Sequence, residues 1–130
     1  VKYLLDTNAV IALLKGTNSA LASKVRHSAP DDLGISAIVT HELYFGAFKS
    51  QRVSTNLDVL DRLAFHVLEF TREDSKQAGR VRAELAALGS AIGPYDVLIA
   101  GQAAERGLVL VTRNLKEFGR VSGLRCENWE

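Results

Sequence analysis

The sequence predicts an α/β fold, a three-layer α/β/α domain around a mostly parallel central sheet. Two observations carry this. Short runs rich in Leu, Val and Ile recur along the whole chain, and a longer amphipathic stretch separates most of them from the next. Strands joined through helices make βαβ units, and such sheets are covered on both faces with right-handed crossovers. A chain of 130 residues, 47% hydrophobic and 24% charged, suits a single domain over residues 1–130 with a substantial core.

The first strand is Lys2–Leu5, and Asp6 stands at its end. Thr7 and Asn8 are turn and cap residues, followed by a helix over Asn8–Lys15 and another over Ser19–His27. Leu33–Ser36 is the second strand and Ala37–Lys49 the helix after it; Thr55–Ala64 is helical and Phe65–Glu69 a third strand. In the helix Arg72–Leu88, Ala78, Val81, Leu85 and Leu88 form an apolar stripe, while Glu73, Lys76, Arg80 and Glu84 face water. Thr71 caps its start and Gly89 its end. The loop GSAIGP is the expected hinge or flap. A helix over Asp96–Arg106, with Pro94 suited to its start, leads to strands at Leu108–Thr112 and Leu124–Cys126.

Net charge is +1, so no global basic signal marks a nucleic-acid binder. The stretch with Arg106, Arg113, Lys116, Arg120 and Arg125 against Glu117 is either a basic rim or a solvated surface. The lone Cys126 cannot form an internal disulfide, which fits a reducing cytoplasm. No segment has the length and apolarity of a membrane span or a secretion signal.

The acids carry the chemistry. Ligands of open α/β sheets gather at the carboxyl ends of the strands, where Asp6 falls. Glu42 lies in the helix after the second strand, among Ile38, Val39, Phe45 and Gly46 at spacings of three and four, away from the expected water face. Asp96 lies in the first turn of its helix, beside the apolar Ile99 and Ala100. Thr112, Asn114 and Glu117 cluster past the LVLVT strand. Each has a bland explanation: Asp6 as a cap, Asp96 as an acid at a helix N-terminus, Asn114 as a turn former, Glu117 as a solvated residue, Glu42 as a hydrogen-bonded structural acid. Those explanations must all hold at one sheet edge. Crowded carboxylates repel and some retain protons unless a cation joins them. Hard oxygen donors with no thiolate or paired histidine favour Mg²⁺ or Mn²⁺ over Zn²⁺. His41 beside Glu42 lacks a second ligand, because Phe45 stands where that ligand would be; it is expected on the helix surface or in packing.

LLDTN, THELYFGA, GPYDVLIAGQA, LVLVTRNLKEF and GLRCENW, in that order over nearly the whole chain, resemble the PIN-domain ribonucleases. The similarity is strongest to the VapC toxins of type II toxin–antitoxin systems. The resemblance implies a PIN-like α/β/α fold and Mg²⁺- or Mn²⁺-dependent cleavage of a structured RNA such as a tRNA. It places the family's invariant acids on Asp6, Glu42 and Asp96. A further family acid falls on Asn114, which adds no charge, so Glu117 is expected to stand in among the metal ligands. Thr7 and Thr112 resemble supporting hydroxyls, and Arg82, Arg113 and Lys116 are candidates for RNA phosphates. The resemblance further implies a homodimer and a VapB-like antitoxin that threads a segment across the acid groove. Two alternatives stand beside it. One is a PIN scaffold that binds RNA or a protein without cutting. The other is a receiver-type phosphoacceptor domain, for which only Glu69 ends the middle strand.

Overall fold

A computed structural model describes residues 1–130. The chain runs β1 (Tyr3–Leu5), α1 (Thr7–Lys15), α2 (Ser19–His27), β2 (Leu33–Ser36), α3 (Ala37–Lys49), α4 (Val53–Asp61), β3 (His66–Leu68), α5 (Arg72–Ala87), α6 (Pro94–Arg106), β4 (Val109–Val111), α7 (Leu115–Phe118) and β5 (Arg125–Glu127), with a single 3₁₀ turn at Pro30–Asp32. The strands form one five-stranded sheet in the order β3-β2-β1-β4-β5. Every pairing is parallel, so the sheet is parallel throughout, beyond the mostly parallel arrangement expected. Helices cover it in the α/β/α manner.

The central strand is the most apolar. Leu4 and Leu5 have no exposed surface, and Leu5 pairs with Val111 while Leu4 pairs with Gly34 and Leu110. Ile35, Val39, Val81, Ile99, Leu110 and Phe118 complete the buried centre. Val1 explains why Gly34 carries no side chain: an added Cβ would lie 3.1 Å from a Val1 methyl and 3.2 Å from the His66 carbonyl. Gly101 lets α6 press onto α5, since a Cβ there would sit 2.6 Å from that of Ala78. At the chain's end Trp129 is buried, with its ring edge-on to Tyr3 and its indole N–H on Glu127.

The strand order decides where a site can form. From β1 the chain winds outward to β2 and β3, then returns to place β4 and β5 on the other side of β1. The winding direction reverses between β1 and β4, and the crevice beyond their carboxyl ends is the natural binding position in such a sheet.

Several expectations shift. α4 begins at Val53 and ends at Asp61, ahead of the expected Thr55–Ala64, and Arg52 offers no side-chain cap. α6 begins at Pro94, and α7 is a short helix in a segment read only as a cluster after a strand. Leu88 is 74% exposed, because α5 ends at Ala87 and the stripe of Ala78, Val81 and Leu85 is not continued. Phe45 is 62% exposed. The buried side of α3 is Val39, Leu43 and Ala47, so Phe45 and Gly46 lie on the water side and Glu42 sits half-buried at the boundary. The basic stretch forms no continuous rim. Arg106 is bound to Asp74 and to the Glu69 carbonyl, and Arg125 opens β5, donating to the Gly107 carbonyl.

Candidate active site

Asp6 follows β1, and its backbone N–H continues the sheet by donating to the Val111 carbonyl at 3.1 Å. Its side chain is 4% exposed. One carboxylate oxygen accepts from the Ala9 N–H at 2.8 Å, capping α1. The capping explanation is therefore true, but it accounts for only one of the two oxygens. Burial pushes the Asp6 carboxyl above its usual range, and the Thr112 hydroxyl and the Ala9 N–H offset part of that rise. Arg113, exposed just beyond Thr112, is the nearby positive charge acting on it, and the Glu130 side chain opposes it.

Glu42 is delivered by α3, whose start is fixed by Ser36: that hydroxyl, fully buried at the end of β2, accepts from the Ile38 N–H at 3.0 Å. In the second turn of α3, Glu42 reaches α1, where the Thr7 hydroxyl donates to it at 2.8 Å. Thr7, next to Asp6, thus anchors an acid from a distant part of the chain.

Asp96 stands in the first turn of α6 after Gly93 and Pro94. Its carboxyl is pushed up to about 7, first by burial, then by the charge and hydrogen bonding of Glu117, and then by the charges of Glu42 and Asp6. All of the sequence-selected acids therefore act on one carboxyl. Glu117, carried by α7, is the nearest. It accepts from the Gly93 N–H at 2.8 Å and from the Asn114 side-chain amide. Asn114 in turn donates its backbone N–H to the buried Thr112 hydroxyl at 3.0 Å. Where a fourth acid would stand, Asn114 holds Glu117 in place.

Gly93 was not legible from sequence. An added Cβ would lie 3.1 Å from an Asp96 carboxylate oxygen and 3.6 Å from Glu117, so only glycine leaves the acids this close. The expected flap is braced: Glu117 holds Gly93, and Arg120 donates to the Ala91 carbonyl at 3.3 Å. A second unforeseen group lies away from the crevice. Buried Asp74 forms a capping box with Thr71 and binds Gln102 and Arg106, tying α5 to α6. Glu69, just past edge strand β3, contributes its carbonyl to this brace. Arg82 and Lys116 are exposed, as is His41, which packs against the Tyr95 ring at 5.4 Å.

No three His, Cys, Asp or Glu side chains are grouped so that they could hold a metal ion between them. The chemistry of the crevice nevertheless fits a hard dication. Burial first, and then the like charges that face it, push the Asp96 carboxyl up to about 7, and no lysine or arginine forms an ion pair with it. The donors are oxygens on separate elements, arranged around the crevice.

Residues 3–124 match the PIN domain family. This chain belongs to that family. Among its relatives, the tRNA(fMet)-specific endonuclease VapC of Salmonella typhimurium is 39% identical over 99% of this chain and 98% of its own length. Ribonuclease VapC2 of Haemophilus influenzae is also 39% identical over the same shares. The fold agrees with DNA-bound VapBC from Salmonella typhimurium at a TM-score of 0.95 and 39% identity, covering 100% of this chain and 99% of that one. Within the PIN family the chain is thus a VapC-type ribonuclease, and the sequence resemblance stands. No helix is long and apolar enough to cross a membrane.

Proposed function

We propose that the chain is the toxin of a type II toxin–antitoxin pair, an Mg²⁺- or Mn²⁺-dependent endoribonuclease that hydrolyses a structured RNA such as a tRNA. We propose further that residues 1–130 act as one PIN domain, assemble as a homodimer and are neutralised by a VapB-like antitoxin. The observation that carries the proposal is the crowding of carboxylates on Asp96. A fold has no structural use for such repulsion, but an anion-cleaving site that recruits a dication does. The naming of a Salmonella relative for tRNA(fMet) supports the RNA class.

In this proposal Asp6 and Asp96 hold the ion, with Glu42 and Glu117 able to complete its shell. When bound, it offsets phosphate charge and lowers the pKa of a nearby water. The chain's own groups do the rest. Glu42, fixed by Thr7, accepts a proton from the attacking water. The water oxygen bonds to phosphorus as the bond to the 3′ oxygen breaks, leaving a 5′-phosphate and a 3′-hydroxyl protonated from solvent. Asn114 and Thr112 keep Glu117 oriented. Arg82, Arg113 and Lys116 bind flanking phosphates and set the register of the strand.

The test is cleavage of tRNA(fMet) with Mg²⁺ or Mn²⁺ by the wild type, Asp6→Asn and Asp96→Asn, with sequencing of the RNA ends. Only the wild type should cut efficiently. Equal cutting by all of them would remove the site assignment, and no cutting by any would remove the ribonuclease reading.

A further inference from the structure

The antiparallel packing of α5 against α6 leaves an open cleft whose mouth adjoins the acid crevice. Ser75, Gly79 and Arg82 form its α5 wall, spaced by four and three residues on one helix face, and Pro94, Tyr95 and Leu98 form its α6 wall. Its volume is about 480 Å³, within the range of small-ligand clefts. Tyr95 is 45% exposed and immediately precedes Asp96. A Cβ added at Gly79 would meet nothing within 4 Å, so the glycine leaves the cleft open and is not demanded by packing. In a helix interior glycine costs about 1 kcal/mol relative to alanine, and nothing in the fold around Gly79 offsets that cost.

We propose that this cleft takes one unstacked nucleobase of the RNA, from a nucleotide flanking the cut, with the Tyr95 ring as its stacking platform and Arg82 on the adjoining phosphate. The inference rests on the ribonuclease reading and deepens it. An exposed ring one residue from a candidate ligand acid, with a cation across an uncharged gap, has the composition of a single-strand site: an aromatic face for the base and positive charge for the backbone. The cleft lacks the acids that would repel phosphate, and Arg82 forms no ion pair. Tyr95 packs against the tilted ring of His41, the residue before Glu42, so the platform is braced by the helix that carries another acid.

The experiment measures cleavage of tRNA(fMet) in Mg²⁺, and of versions carrying one abasic nucleotide at each position beside the cut. Tyr95→Ala removes the platform. Gly79→Leu fills the cleft and keeps α5 intact, because leucine is the better helix former. Both should raise KM by about 5- to 100-fold with kcat little changed, the range expected for one base–aromatic stack. Tyr95→Phe should restore binding. One abasic substrate should show a similar penalty with the wild type and none further with Tyr95→Ala. If the wild type cuts but both variants keep its KM, or if every abasic penalty persists in Tyr95→Ala, the nucleobase cleft is wrong and the ribonuclease reading survives. A variant that keeps KM but changes oligomeric state in size-exclusion chromatography, or loses VapB-like antitoxin, assigns the cleft to a protein contact and also overturns it. A wild type that cuts no RNA removes both.

Discussion

The hydroxyl of Thr7 donates a 2.8 Å hydrogen bond to the carboxylate of Glu42 across a separation of 35 residues. The bond joins the turn after the central strand to the helix after its neighbour, and fixes the acid assigned to the attacking water. Thr7→Val keeps the shape of the side chain and removes the donor. Cleavage kcat should fall by about 10- to 100-fold, the value of a hydrogen bond to a charged group, while Thr7→Ser should retain most of the rate. Thermal unfolding should barely change, since the bond is only partly buried.

Asp6 performs two tasks that substitution can separate. Asparagine caps a helix as well as aspartate does, so Asp6→Asn should keep α1 and lose cleavage. Asp6→Ala should lose cleavage and also about 1 kcal/mol of stability. Denaturant titration of the two variants beside the wild type checks this. Equal loss of stability in both would mean that the charge, and not the cap, supports the fold.

Without metal, stability should fall as pH rises toward neutrality. The Asp96 carboxyl is raised in the folded chain to about 7, so between its ordinary value of 3.8 and about 7 the unfolded chain has released a proton that the folded chain still holds. Unfolding then releases a proton, and each step up in pH favours it until both states are ionised. Melting temperature in EDTA should decline over that window, and Asp96→Asn should flatten the decline. Mg²⁺ or Mn²⁺ should restore stability most at the upper end, where the carboxyl is free to bind it.

Asp74 obeys the opposite sign. Burial works against its charge, but the Arg106 guanidinium and the Thr71 N–H outweigh it and hold the carboxyl below its usual range. Its contribution is present above pH 3.8 and is lost as the pH falls through the lower folded value. Asp74→Ala removes both the capping box and a charged hydrogen bond, and should cost about 2–4 kcal/mol at pH 7.

Gly101→Ala tests the helix contact beneath the site. The new methyl would fall 2.6 Å from the Ala78 Cβ and 2.7 Å from its backbone nitrogen, so α5 and α6 must separate. A loss of about 1–3 kcal/mol is expected, with reduced cleavage as α6 carries Asp96 out of position. Gly79→Ala, at the residue next to Ala78 on the opposing helix but facing open space, should instead stabilise by about 1 kcal/mol.

Much of the site was legible because acids in costly positions stand out against an apolar pattern. Asp6, Glu42 and Asp96 each break a hydrophobic rule, and each lies where the switch in strand order collects ligands. The fold class followed from runs such as LVLVT, whose buried centre at Leu110 and Val111 is fully apolar. Other features carry no local mark. Phe45 matches the core in composition, and only the packing of Val39, Leu43 and Ala47 decides which side of α3 faces water. Arg106 counts as a surface charge until α5 brings Asp74 to it. Gly93 reads as an ordinary loop residue, since its demand for a missing Cβ comes from acids distant in sequence. Glu117 became prominent for the same reason: a turn of helix, its link to Asn114 and the Gly93 N–H together aim it at Asp96.

The order of strands also bears on how a cell survives making such a chain. β1 is made long before one of its two neighbours, β4, which begins only at Val109, and α7 with Glu117 comes later still. A nascent polypeptide not yet extended to α6 has Asp6 and Glu42 but neither the returning half of the sheet nor the acids that face them. The crevice therefore comes into being only once β4 and α7 have been made, which spares the translating ribosome's own surroundings from an active nuclease until then and leaves an interval in which a co-expressed inhibitor can already be waiting.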